Sequence, residues 1–131
     1  MSNIFRSELR LETLSKKDMQ SRIERYCREN KHISCRRLKR RKVYTEKYIE
    51  ATIPRKDSTK RMRAFFVALD IVKKSHIMKE RVFKKQREYE FVGFDCSGTE
   101  IRVHLREETQ GNNKKLYVIS SFPKQNKNPS P

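Results

Sequence analysis

Arg102, His104 and Arg106 occupy alternate positions in Thr99–Glu107, and Ile101, Val103 and Leu105 fill the positions between them. Successive side chains of a strand point to opposite faces. This spacing therefore predicts a cation, an imidazole and a second cation in line on one face, about 6–7 Å apart. Ser120 and Ser121 follow in the next apolar run, so a neighbouring strand would bring one of the two hydroxyls beside them. An imidazole between guanidinium groups suits transesterification of RNA. The ring takes the proton of a ribose 2′-hydroxyl, the guanidinium stabilises the pentavalent phosphorane, and no metal is required. Flanking positive charge also favours the neutral, proton-accepting ring. The plainer reading is an exposed strand of a basic protein, alternating apolar and polar residues with no chemistry attached.

A second candidate lies in Ser75–Arg81. A helix continued through it would set His76 and Glu80 four apart, where they can pair, with Lys79 alongside; a polar residue closing a helix explains His76 equally well. Cys27, His32 and Cys35 stand as C-x4-H-x2-C, with Cys96 or His76 as a fourth ligand, but the second paired spacing of a structural zinc site is missing. Neither metal nor any other cofactor is expected. Phosphate-binding loops, dinucleotide fingerprints, HExxH and G-x-S-x-G are all absent from the sequence.

The elements that must position these groups fall into three zones: a basic helical arm over 1–47, an α+β domain over 48–123, and a disordered tail over 124–131. Ser15 caps a helix carrying Met19, Ile23 and Tyr26 at helical spacing. Tyr48–Ile53 reads as a short strand stopped by Pro54. Asp57 or Ser58 opens a core helix over about 59–74, striped by Met62, Phe65, Phe66, Leu69 and Val72. Tyr89–Phe94, Thr99–Glu107 and Leu116–Phe122 read as strands. A turn at Asp95–Gly98 joins the first two, and a longer loop over Thr109–Lys115 joins the last two. The expected fold is α+β, with N-terminal helices followed by a three- to four-stranded antiparallel sheet packed on one main helix.

The 131-residue chain carries 33 Lys and Arg against 16 Asp and Glu, a formal charge of +17. A field of that sign draws polyanions, and each phosphate neutralised releases condensed counterions. Nucleic acid is the expected partner. Arg22, Arg25, Arg36, Arg37, Lys39, Arg40, Arg41 and Lys42 are the candidate backbone-binding residues, although charged runs are as often merely solvated. No apolar run approaches the ~18 residues of a membrane span, so no membrane partner is expected. Three cysteines without a CxxC pair fit a reducing, cytoplasmic setting.

From about Ala64 to Pro123 the order of a long apolar helix, a His-containing segment and a meander ending in Leu-Tyr-Val-Ile-Ser-Ser-Phe-Pro resembles the barnase–EndoU–colicin–RelE superfamily of metal-independent ribonucleases, particularly its small phage and mobile-element members. The resemblance covers under half of the chain. It implies cleavage of RNA to a cyclic phosphate, toxin-like activity with an inhibitor or antitoxin protein as partner, and roles for His76, Lys79, Arg102, His104, Arg106 and Ser120 or Ser121. The expected function is thus an endoribonuclease acting on RNA rather than DNA. Its rivals are a non-catalytic nucleic-acid-binding protein and a basic interaction or inhibitor protein.

Overall fold

A computed structural model describes residues 4–75 and 78–124. His76 and residues 125–131 of the expected tail lie outside them. The elements run α1 (Lys16–Glu29), β1 (His32–Cys35), a 3-10 turn (Arg36–Leu38), β2 (Arg41–Tyr44), α2 (Tyr48–Thr52), α3 (Ser58–Arg63), α4 (Phe65–Lys74), β3 (Met78–Phe83), β4 (Gln86–Phe94), β5 (Glu100–Gln110) and β6 (Asn113–Pro123). The strands form one six-stranded sheet in the order β1-β2-β6-β5-β4-β3.

The α+β class stands, but the sheet is larger than expected and it is mixed. β2 runs parallel to β6, through Val43↔Leu116 and Tyr44↔Tyr117, while the other pairs are antiparallel. Two of its strands come from the basic stretch read as helical. Ile33, Cys35 and Val43 are buried there, and in β1 they alternate with exposed His32 and Ser34, so the stretch has a strand period with one apolar face. β3 was not foreseen either, since it occupies the segment read as a continuing helix. Lys79 and Glu80 are successive residues of that strand, opposite Glu90 and Tyr89.

Tyr48–Thr52 is a helical turn, not a strand. Tyr48 and Thr52, four apart, are both fully buried. The Tyr48 hydroxyl lies 3.0 Å from the Arg61 carbonyl and 2.7 Å from Ser121 Oγ, which itself donates to that carbonyl at 2.8 Å. Burial of the ring and its hydroxyl overrides local β-propensity here. The core helix is broken at Ala64 (φ −95°, ψ 0°) into α3 and α4. Asp57 stands at the N-cap of α3, but its carboxylate takes Arg61 Nε at 2.7 Å rather than capping. That guanidinium holds the Asp57 carboxyl below its ordinary value.

α4 packs against β1, β4, β5 and the 3-10 turn, and its Phe65, Ala68, Leu69, Ile71 and Val72 join Phe91, Ile101, Val103, Leu105 and Val118 in the core. Gly93 lets this packing close: a Cβ there would sit 2.7 Å from Ile71 Cγ1 and 3.1 Å from the Phe5 carbonyl. Arg102, His104 and Arg106 alternate with the buried Ile101, Val103 and Leu105, so the opposite sheet face holds the candidate chemistry.

At one end, Asp95 organises the β4–β5 turn. Its carboxylate accepts from the N–H groups of Ser97 and Thr99, both at 2.9 Å, from Ser97 Oγ at 2.7 Å and from the Leu11 N–H at 3.4 Å. Gly98 takes the left-handed position (φ 91°). Burial pushes the Asp95 carboxyl up, but those hydrogen bonds outweigh it and leave it below the ordinary aspartate value. A depressed folded-state pKa stabilises above the unfolded value of ~3.9 and is lost as pH falls through the lower one. Asp95→Ala should therefore cost about 1–3 kcal/mol at pH 6 by orphaning backbone donors. Thermal melts should show the gap from wild type narrowing as pH falls below the ordinary aspartate range. A gap that persists undiminished at pH 2 would refute this account of the turn.

Two hairpins place cations in left-handed backbone. Lys39 and Arg40 have φ 57° and 62° at the β1–β2 connection, and Lys84 and Lys85 have φ 52° and 66° at the two-residue β3–β4 turn. The β5–β6 connection is also a tight turn, Gly111-Asn112, rather than the expected longer loop, because β5 and β6 pair as far as Gln110↔Asn113. There Gly111 supplies φ 63° without strain, whereas a side chain in that region costs roughly 1–2 kcal/mol.

Candidate nucleic-acid interface

Counting pairs back from the β4–β5 turn gives Glu88↔Arg106, Glu90↔His104 and Val92↔Arg102. On the other side of β5 the register shifts between His104 and Leu105. Leu105 faces Val118 and His104 faces Ser120, which leaves Ile119 as the extra residue of a bulge. That bulge decides between the two serines. Continued alternation from Tyr117 would put Ile119 opposite His104 and Ser121 on the same face opposite Arg102; with Ile119 inserted, Ser120 faces the imidazole. Ser121 goes instead to the fully buried side, against Tyr48 and Arg61.

His104 is thus the middle of a three-strand row. Its Nε2 lies 2.7 Å from Glu90 Oε2, and Ser120 Oγ lies 3.4 Å from its Nδ1. The charge nearest the ring is a carboxylate, not the guanidinium pair expected. Glu90 was missed from sequence, although Tyr89 and Phe91 point inward and force Glu90 onto the His104 face. Burial pushes the Glu90 carboxyl up, but the hydrogen bond from His104 and the positive charge of His104, Arg102 and Lys79 carry it below its ordinary value.

The two arginines share the imidazole's face, and each is matched by a carboxylate. Arg102 Nε bonds Glu100 at 3.0 Å and its Nη1 lies 3.8 Å from Glu90. Arg106 Nε is buried 3.5 Å from Glu88 without a hydrogen bond. Lys79, on the edge strand, faces Glu90 and helps line a groove of about 250 Å³ with Arg81, Glu88 and His104. Farther across the face Lys47 pairs with Glu108 and covers the Tyr117 ring at 4.4 Å. Tyr117 is 2% exposed and so cannot serve as a stacking platform. The aromatics that β1 and β2 add to the sheet are His32 and Tyr44, with ring centroids 5.6 Å apart and Lys115 Nζ 4.9 Å from Tyr44. The sequence places both in a helical arm, with His32 as a candidate zinc ligand, and does not show that they pair in the sheet.

The candidate backbone-binding cations do not all remain available. Arg22 pairs with Glu12 at 3.2 Å and covers Phe66, Arg25 pairs with Glu29 at 3.7 Å, and Arg41 bonds Glu107 at 2.9 Å. Arg36, Arg37, Lys39, Arg40 and Lys42 are exposed and carry no ion pair among the described residues.

The thiols do not gather. Cys27 Sγ donates to the Thr45 carbonyl at 3.7 Å and Cys35 is fully buried in the core; burial raises both pKa values, which disfavours the thiolate that a metal needs. Among the described residues no group of three or more His, Cys, Asp or Glu is disposed to hold a metal, and no helix is long and apolar enough to cross a membrane. No family model, curated protein or solved structure matches the chain.

Proposed function

We propose that this chain is a cytoplasmic RNA-processing protein, a metal-independent endoribonuclease with His104 as its proton-transfer group. The observation that supports the reading is the row Glu90–His104–Ser120, an imidazole with a carboxylate on one nitrogen and a loosely held hydroxyl on the other. Glu90 favours the tautomer with its proton on Nε2 and would stabilise the imidazolium once formed. Nδ1, with only the long contact to Ser120, is then the nitrogen that accepts the 2′-hydroxyl proton. Ser120, 4% exposed, positions the ring and is not a nucleophile. The bond from O2′ to phosphorus forms as that from phosphorus to O5′ breaks. The products are a 2′,3′-cyclic phosphate and a 5′-hydroxyl that takes a proton from solvent. Arg102 or Arg106, swung from its carboxylate onto the phosphate, stabilises the phosphorane.

A second reading, a nucleic-acid-binding protein without catalysis, draws support from a different observation. Arg102 and Arg106, which flank His104 on this face, each have a carboxylate within ion-pair distance. Such a face is an ordinary set of cross-strand charge pairs, each contributing a few tenths of a kcal/mol up to about 1. Incubating the purified protein with total RNA in EDTA separates the two readings. Fragments ending in cyclic phosphate are expected. RNA left intact both in EDTA and in added divalent metal would transfer the chain to the second reading, and stable capture of an acidic protein in place of RNA would favour an inhibitor or antitoxin type of partnership.

A further inference from the structure

β2 runs parallel to β6, β5 runs against β6, and β4 runs against β5. The starts of β2, β4 and β6 therefore lie at the same end of the sheet, and so do the three hairpin connections that precede them. Arg41 confirms the alignment by reaching the Lys114 carbonyl at 3.5 Å. The connections gather Arg36, Arg37, Lys39 and Arg40 on one flank, Lys84 and Lys85 on the other, and Lys114 between them, all exposed. With strands ~4.8 Å apart, the two outer hairpins stand about 19 Å from each other. Near this end Glu107, Glu108, Glu80 and Glu88 are taken up by Arg41, Lys47, Arg87 and Arg81. Arg36, Arg37, Lys39, Arg40, Lys85 and Lys114 lie outside those pairs and keep their field.

A second observation points the same way. Both outer hairpins put Lys or Arg in consecutive left-handed positions, where Asn-Gly would be unstrained. Strain retained at two separate loops, each time under a cation, is the pattern of a functional surface rather than of a stability-selected turn.

We propose that the three-hairpin end is the surface that grips the RNA sugar–phosphate backbone, with the β1–β2 and β3–β4 tips as its two arms. This rests on the RNA reading but is independent of cleavage. His104 lies six residues from Gln110 along β5, about 20 Å away, so the grip and the Glu90–His104 row would meet different parts of one chain.

The test uses the full chain carrying His104→Ala, so that RNA survives the titration, with a 20-nucleotide RNA duplex and an unstructured single strand as probes. Lys84→Asn with Lys85→Gly, and separately Lys39→Asn with Arg40→Gly, remove two charges each while relieving the backbone. Each double variant should melt at the same temperature as its parent or higher. Each should also bind more weakly and flatten the slope of log K against log salt, by about 1.8 on the duplex and 1.4 on the single strand. Arg10→Ser with Lys124→Ser removes two charges at the opposite end and should leave the slope unchanged. Equal loss from that control and from the tips, unchanged slopes for both tip variants, or binding of polyglutamate in preference to RNA would each overturn the proposal. Wild-type protein that cleaves nothing, while the tips still set the slope, defeats the ribonuclease reading and leaves this one standing.

Discussion

His104→Ala should lower RNA cleavage by about 10²–10⁴-fold, the range for a positioned general acid or base, with little change in affinity or melting temperature. The stability half of that expectation follows from exposure. The His104 side chain is 45% exposed, so its removal leaves no cavity, and a half-exposed polar contact such as the one it makes with Glu90 contributes ~0–1 kcal/mol. The affinity half follows from the placement of the exposed cations at the hairpin end, about 20 Å off. Glu90→Gln tests the finer role. It keeps the hydrogen-bonding shape but removes the charge that stabilises the imidazolium, so kcat should fall with KM nearly constant, and the acid limb of the pH–kcat profile should move. A His104→Ala protein that cleaves at the wild-type rate would show the row to be a structural charge pair. Retained cleavage that disappears in His76→Ala would assign the chemistry to the other histidine.

How much of this was legible in the chain depends on whether the deciding contact is local. Ile101, Val103 and Leu105 alternate without exception, so the two faces of β5 could be read directly, and the Asp95–Gly98 turn fixed its pairing with β4. Glu90 was legible by the same count. What hides it is the surplus of cations, among which the few carboxylates that the register brings in do not stand out. β1 and β2 were harder. Each is four residues long, and the apolar signal shrinks to Ile33, Cys35 and Val43 inside a run of cations. Their sheet membership comes from parallel pairing with β6, more than seventy residues on, which no local pattern encodes. The Gly111-Asn112 turn was hidden for a different reason. Beyond the core, Thr109↔Lys114 and Gln110↔Asn113 pair as a polar ribbon with no apolar face to announce it. The Ile119 bulge likewise leaves no mark in the composition of Leu-Tyr-Val-Ile-Ser-Ser, yet it determines which serine meets the imidazole.

Phe65→Ala should be among the most damaging single changes to the fold, costing about 3–5 kcal/mol as a fully buried aromatic truncated in a packed core. Domains of this size are stable by only ~5–15 kcal/mol, so the loss is roughly a fifth of the total at the least. Phe65 opens α4 at the point where the chain turns out of α3. There its ring meets Tyr48 at 4.6 Å, Phe66 at 5.1 Å and Tyr26 at 5.9 Å. It therefore ties α1, α2 and α4 together above the sheet, and Tyr48, its nearest ring, is not free to fill its place because its hydroxyl is held by Arg61 and Ser121. Phe66, next in sequence, supplies the contrast. Its ring is only partly buried and is covered by the Arg22 guanidinium at 5.6 Å, so Phe66→Ala should cost clearly less. Urea denaturation followed at constant slope would give both values from the shift in midpoint. A larger loss at Phe66 than at Phe65 would mean that α4 presents a different face to the sheet, and the register that sets Glu90, His104 and Ser120 in one row would have to be redrawn with it.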